Sequence, residues 1–233
     1  MVIDGGPDSR VLECLARALP FGDRRVEVLL LSHPSADHYR GFRDIVDRYS
    51  VGVFVHSGLD KANLEYQALL TAIRNRGVPS REVRAGETLP LPGGQLDVLY
   101  PDSLETVPRR GDPSHDENNA SIIARARLAD TTALFTGDAE EPAERAVMND
   151  GVRADILKVG HHGSRTSTSE DFADAVRPSV SVISVGAGNT YGHPTALVLG
   201  TLKRHASRVY RTDQNGTVVV SVYEHGYRVR TAR

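Results

Sequence analysis

Nine histidines stand in this 233-residue chain against a single cysteine. One thiol forms neither an internal disulfide nor a Cys-rich zinc site, so any metal chemistry must rest on imidazole and carboxylate. Five of the histidines fall in three short segments: Ser32-His33-Pro34-Ser35-Ala36-Asp37-His38, Val159-Gly160-His161-His162-Gly163-Ser164 and Tyr191-Gly192-His193-Pro194. A carboxylate stands in a similar setting, in Phe135-Thr136-Gly137-Asp138. A His/Asp set without thiolate suits a borderline or moderately hard divalent ion such as Zn²⁺, Mn²⁺ or Fe. A carboxylate that bridges two such ions is the basis of two-metal hydrolysis, in which the ions clamp the attacking and leaving oxygens. Asp37 and His38 are adjacent, so they diverge on a strand and converge on a tight turn that opens a helix. His56, His115, His205 and His225 match no motif and read as surface or structural residues.

Each of these segments follows a short apolar run. Residues 26–31 form a continuous apolar run stopped by Ser-His-Pro, the pattern of a buried strand. Residues 131–136, 155–159 and 180–185 read as strands that lead to Asp138, to the His161-His162 pair and to His193. Loops held by rigid strands are the usual carriers of functional groups. Between the strands the spacing predicts helices over 9–19, 41–49, 60–76 (Asp60 as N-cap, Gly77 as stop), 140–149, 169–176 and 195–205. Asp138 could also serve as the N-cap of the 140–149 helix. Residues 51–55 read as a strand, 83–100 as two short strands, and 120–128 with 131–136 as a hairpin turning at Ala129-Asp130. Strands are also expected over 208–211 and 217–223. The Arg-rich residues 228–233 read as a solvated strand end, and Cys14 as a small core residue. Residues 101–116 are polar and proline-bearing, the one candidate internal boundary. The chain therefore reads as one domain, 1–233, with pseudo-repeat halves of about 1–110 and 117–233. The alternation of strands and helices points to two packed mixed sheets with helices outside.

The composition excludes several classes. With 39% hydrophobic and 25% charged residues the chain has the balance of a soluble globular protein. Its 28 basic and 30 acidic residues leave a net charge of −2, so there is no global attraction to nucleic acid or anionic membrane. No stretch approaches the ~18 apolar residues of a membrane span, and the N-terminus lacks the basic and apolar regions of a secretory signal. The expected location is cytoplasmic or soluble.

Taken in order, these segments resemble the metallo-β-lactamase fold, whose first metal motif is His-x-His-x-Asp-His. The Asp4-Gly5-Gly6-Pro7 start, Leu19-Pro20-Phe21-Gly22-Asp23-Arg24, Asn118-Asn119-Ala120-Ser121, Thr136-Gly137-Asp138, Leu157-Lys158-Val159-Gly160-His161-His162-Gly163-Ser164 and Tyr191-Gly192-His193-Pro194 resemble one branch. That branch is the C-terminal β-lactamase-like domain of the ComEC family of competence DNA-internalisation proteins. The similarity runs from Asp4 to Gly216. Any one of the motifs is short enough to recur by chance; the ordered set carries the resemblance.

The resemblance implies an αββα sandwich and a metal-dependent phosphodiesterase or nuclease that acts on DNA in competence-type uptake. Metal-activated hydroxide would attack phosphorus. The implied ligands are His33, Asp37, His38, Asp138 as a bridging carboxylate, and one of the His-His pair, with His161 preferred over His162. Asp37 and His193 would be the catalytic residues, His193 as phosphate contact or proton donor. Lys158 and Arg165 would offset charge on the phosphate, though both also read as solvated charges. Asn118, Asn119 and Ser121 read as turn residues. The implied cofactor is one or two divalent ions, Zn or Mn, and the implied partner is DNA.

Two departures qualify this. Ser35 stands where the fold's motif has its second His, and a neutral hydroxyl is a poor ligand, so the second metal is expected to bind weakly. Relatives also open with an additional strand, so the first N-terminal strand is expected to be missing. Membrane association is expected if the chain is a fragment of a full-length competence protein, because such relatives are membrane-embedded. Two other readings stand beside this one. The first is a hydrolase of the same fold that cleaves a small lactam, lactone or phosphoester. The second is a degenerate, non-catalytic domain that binds DNA or a partner.

Overall fold

Apolar runs separated by helix-length segments favour parallel strands with helical crossovers, and the first part of the chain follows this rule. The computed structural model describes residues 1–109 and 111–233, which divide into two units, Met1–Val83 and Arg84–Arg233. The first unit runs β1 (Val2–Ile3), α1 (Val11–Ala18), β2 (Arg25–Leu30), α2 (Ala36–Arg48), β3 (Ser50–His56), α3 (Leu64–Asn75) and β4 (Ser80–Glu82). Its sheet has the order β1-β2-β3-β4 and every pairing is parallel. Leu29 and Phe54 from the sheet pack with Phe42 and Ile45 of α2 and with Tyr66, Leu69 and Ile73 of α3. Phe42 meets Phe54 edge-on, with centroids 6.2 Å apart. Side chains of this size each contribute roughly 1.5–3 kcal/mol by leaving water. This core fixes α2 against the sheet, and with it the turn that carries His33 to His38.

Two local expectations are corrected here. The helix expected over 41–49 begins at Ala36, so Asp37 and His38 lie in its first turn. The long helix expected from Asp60 begins at Leu64. Its cap is Asn63, whose side-chain oxygen accepts from the Glu65 and Tyr66 amides, while Asp60 accepts from the Lys61 amide and the Gln67 side chain.

The second unit runs β5 (Thr88–Leu91), β6 (Gly94–Tyr100), α4 (Pro113–Asn118), β7 (Ile123–Leu128), β8 (Thr131–Phe135), α5 (Glu141–Val147), β9 (Ile156–Lys158), α6 (Glu170–Val176), β10 (Val180–Ile183), α7 (Ala196–Arg204), β11 (Arg208–Arg211), α8 (Thr212–Asn215), β12 (Val218–Tyr223) and β13 (Gly226–Thr231). The first seven of its strands form a mixed sheet, β11-β10-β9-β8-β7-β6-β5. Strands β8 to β11 are parallel to one another; β5 to β8 pair antiparallel. The expected hairpin is β7–β8, with Ala129 in the left-handed region at its turn.

The two units divide at Val83/Arg84, so the 101–116 loop lies inside the second of them. β6 and β7 pair side by side, so the segment joining them is a connection within one sheet. That segment includes α4, whose N-cap is Asp112; Arg110 lies outside the described residues. The Arg-rich end is strand β13, paired along its length with β12. Cys14 is exposed, not a core residue. Among the described residues, no helix is long and apolar enough to cross a membrane.

Candidate metal centre

In the first unit the chain leaves β2 through Leu31 and Ser32, and α2 opens just after Ser35. Asp4, on the turn after β1, organises this turn. Its Oδ1 accepts from the Ser32 amide at 2.8 Å. Its Oδ2 accepts from Ser32 Oγ and from His38 Nδ1, both at 2.8 Å. The Ser32 hydroxyl proton is thereby committed to Asp4, so Ser32 Oγ is an acceptor for His33 Nδ1 at 3.1 Å. One carboxylate therefore sets the tautomer of both histidines: Nδ1 carries the proton and Nε2 the lone pair. Burial works against ionising Asp4, but His38, the Ser32 amide and His33 outweigh it and hold its carboxyl below the usual range.

Asp37 follows from the helix start. Ser35 is at the N-cap position, but its hydroxyl donates to Asp37 Oδ1 at 3.0 Å and makes no capping bond. Asp37 Oδ2 lies 3.9 Å from His38 Nε2. The Ser35 hydroxyl thus orients the neighbouring carboxylate.

In the second unit, β8, β9 and β10 are adjacent and parallel. Their carboxyl ends open on one edge, the place where open α/β sheets bind ligands. The three loops there bring Asp138, His161, His162 and His193 together. Asp138 is 3% exposed, and its amide donates to Ser121 Oγ. It does not cap α5, whose N-cap residue is Glu140. His161 and His162 both adopt left-handed backbone, with φ of 43° and 53°. Two consecutive non-glycine residues in that region are strained, a condition concentrated at functional sites.

The strain aims two rings from neighbouring positions at one carboxylate. His162 Nδ1 donates to the Ser184 carbonyl at 2.7 Å, which leaves Nε2 as a lone pair 3.5 Å from Asp138 Oδ2. His161 Nε2 lies 4.0 Å from the same oxygen, and its Nδ1 is 3.5 Å from Glu140 Oε1 and 3.3 Å from Thr166 Oγ1. Gly163 completes the turn with φ +83°. A Cβ there would sit 2.5 Å from the Pro194 side chain, so only glycine lets the His193-Pro194 segment close on the histidine pair. The His193 ring lies 5.8 Å from that of His161. Burial lowers the His193 pKa, and the neighbouring His161 and His162 lower it further against the opposing pull of Asp138.

Behind His161 stands a group that the sequence did not reveal. Glu140 has no exposed surface. It lies 2.6 and 2.8 Å from His115 Nδ1 and accepts from Asn118 Nδ2 at 3.1 Å, while its amide donates to the Asn119 side chain. Burial opposes its ionisation, but His161, Asn118 and His115 together keep its carboxyl below the usual range. His115, expected to be a surface or structural residue, is the outer partner of a buried carboxylate. Ser121 and both asparagines support the site as well as the turn. The signals for these roles were a glutamate two residues after Asp138 and the Asn-Asn pair itself. Lys158 Nζ bonds the Val159 carbonyl at 3.1 Å, and Arg165 is exposed.

Both units therefore present the same chemistry, an anchored imidazole whose lone-pair Nε2 faces a carboxylate oxygen at 3.5–3.9 Å. Two acceptors held in that way fit a shared cation, and the N/O donor set fits a divalent ion.

Residues 1–187 match the Metallo-beta-lactamase superfamily. The chain belongs to that superfamily. Its members are mostly metal-dependent hydrolases, and its relatives here include competence proteins. The chain is 35% identical over 199 residues to ComE operon protein 3 of Bacillus subtilis, and 30% identical over 218 residues to Recombination protein 2 of Haemophilus influenzae. These alignments cover 84% and 92% of the chain but only 25% of either relative, so the chain spans about a quarter of their length. Among solved structures, YhfI from Bacillus subtilis, a metallo-beta-lactamase fold protein, superposes with a TM-score of 0.58 at 13% identity, covering 90% of this chain and 82% of that one. CmlA of Streptomyces venezuelae, a diiron beta-hydroxylase, superposes with a TM-score of 0.55 at 17% identity, covering 92% and 46%. One fold thus carries different reactions, and the reaction must be argued from the site.

Proposed function

We propose that the chain is a metal-dependent phosphodiesterase domain that cleaves DNA during competence-type uptake. The observation that carries this reading is the pair of anchored imidazole–carboxylate sets, at the ends of β2 and of β8–β9. Competence in the names of relatives such as Competence protein ComA of Neisseria gonorrhoeae favours DNA as the substrate.

His33, Asp37 and His38 in the first unit, and Asp138 and His162 in the second, would each serve as metal ligands. His162 takes precedence over His161 because the Ser184 carbonyl commits its Nδ1 and turns its Nε2 towards Asp138. Zn²⁺ or Mn²⁺ bound there supplies Lewis-acid charge for the phosphate oxygens and makes water acidic enough to attack at neutral pH. The protein's own groups do the rest. Asp4 holds the His33 and His38 rings in the tautomer that accepts a cation. His193, neutral near pH 7 because its pKa is lowered, contacts the phosphate and serves the leaving oxygen. Lys158 and Arg165 are secondary phosphate contacts. A local cation supplies the attraction for DNA that a net charge of −2 does not.

The test is cleavage of single- and double-stranded DNA by the purified chain in Mn²⁺, Zn²⁺ or EDTA. EDTA-sensitive cleavage that Asp138→Ala and His38→Ala both abolish is expected. Hydrolysis of a small lactone or lactam without cleavage of DNA, or full activity in either variant, would overturn the proposal.

A further inference from the structure

We infer that Tyr191 is a stacking platform for an unpaired nucleobase, making single-stranded DNA the preferred substrate. The inference rests on the phosphodiesterase reading above. Tyr191 is 82% exposed, an unfavourable state for a large aromatic ring. Phe21 and Leu64 are exposed as well. Tyr191 differs in its neighbour. Its ring lies 6.0 Å from the His193 imidazole, with planes only 18° apart, and His193 in turn packs against His161.

The loop that carries this ring is tied down. Asn189 Oδ1 accepts from the His193 amide at 3.1 Å, and its Nδ2 donates to the His193 carbonyl at 2.8 Å. Gly192, between the two rings, has φ +73°. The tyrosine is thus held in place before any ligand arrives, which lowers the entropic cost of binding.

A phosphate held by His193 would bring its own base, or the next one, over Tyr191. Base–aromatic stacking is a sequence-tolerant mode of single-strand binding, because every base has a π-face. In a duplex, both faces of each base are already covered by neighbours. Tyr191 would therefore favour unpaired strands without reading sequence, and it adds affinity where the near-neutral chain has little general attraction for phosphate.

The experiment compares the full chain with Tyr191→Ala and Tyr191→Phe, using fluorescently labelled oligodeoxyadenylate and an abasic oligomer of equal length. Binding is read by anisotropy in EDTA, and cleavage is read separately with Mn²⁺. Tyr191→Ala is expected to weaken binding of the base-bearing oligomer about 5- to 150-fold. It should leave the abasic oligomer and the melting temperature unchanged, and Tyr191→Phe should bind as the parent does. Equal loss on both oligomers, no loss on either, or no oligomer binding by the parent would overturn the platform. If the parent cleaves DNA and the Ala variant shows no base-dependent loss, the platform fails while the phosphodiesterase reading stands. If the parent cleaves nothing but base-dependent binding persists, that reading fails and the platform stands.

Discussion

Asp4→Asn separates metal chemistry from stability. Asp4 accepts three hydrogen bonds at 2.8 Å with a side chain only 19% exposed. Asparagine keeps one oxygen, which still accepts from the Ser32 amide. Its NH₂ replaces the oxygen that accepted from Ser32 Oγ and His38 Nδ1. The Ser32 hydroxyl can rotate to accept that N–H, but His38 can adapt only by moving its proton from Nδ1 to Nε2. The nitrogen facing Asp37 then becomes a donor and cannot accept a cation. Exchanging charge-assisted for neutral hydrogen bonds costs about 1–2 kcal/mol of stability. Losing the group that fixes a ligand's tautomer costs about 10- to 100-fold in metal affinity, or ~1.4–2.7 kcal/mol. Metal affinity is measured by competition with a chromogenic chelator, stability by urea denaturation without metal, and the His38 tautomer by ¹⁵N chemical shifts. A variant that binds Zn²⁺ within twofold of the parent, with His38 still protonated on Nδ1, would refute the argument. So would a loss of affinity matched by wholesale unfolding.

Two further outcomes follow from packing and burial. Gly41→Ala would place a Cβ 2.1 Å from the Gly5 carbonyl oxygen and 2.8 Å from that of Asp8. Only displacement of the segment carrying Asp4 relieves this, with loss of the Gly41–Gly6 and Gly5–His38 backbone bonds. A destabilisation of about 3–5 kcal/mol is expected in urea denaturation, with weaker metal binding, and a change under ~1 kcal/mol would contradict it. Glu144 is buried on α5 beside the Thr168 and Ser169 amides, and burial pushes its pKa up from 4.5 to about 7 despite those donors. Between those values the folded state keeps a proton that the unfolded state has lost, so stability falls as pH rises from about 4.5 to 7 and levels off above. Glu144→Gln should remove a slope on the order of 3 kcal/mol between pH 5 and pH 8, seen as the difference between the two proteins' denaturation curves. Parallel pH profiles would count against it.

The strands that lead to the candidate ligands were legible in the chain because β-branched runs and the glycine- or proline-bearing turns after them are local signals. So were the hairpin at Ala129-Asp130 and most of the helices. The start of α2 was missed because residues 36–40 show their helical character only when Tyr39 and Phe42 meet the sheet. A proline-rich loop such as 101–116 reads the same whether it links two units or two neighbouring strands. Only the β6–β7 register tells these apart.

The candidate site divides along the same line. Residue types and their places after strands determined which groups can carry chemistry: His33, Asp37, His38, Asp138, the His161-His162 pair and His193. Tertiary structure decided which nitrogen each imidazole presents. That choice rests on partners distant in sequence: Asp4 for His38, 34 residues away, Ser184 for His162, 22 away, and Glu140 for His115, 25 away. A ring's tautomer is set by what its other nitrogen touches, and strand register, not sequence spacing, supplies that contact.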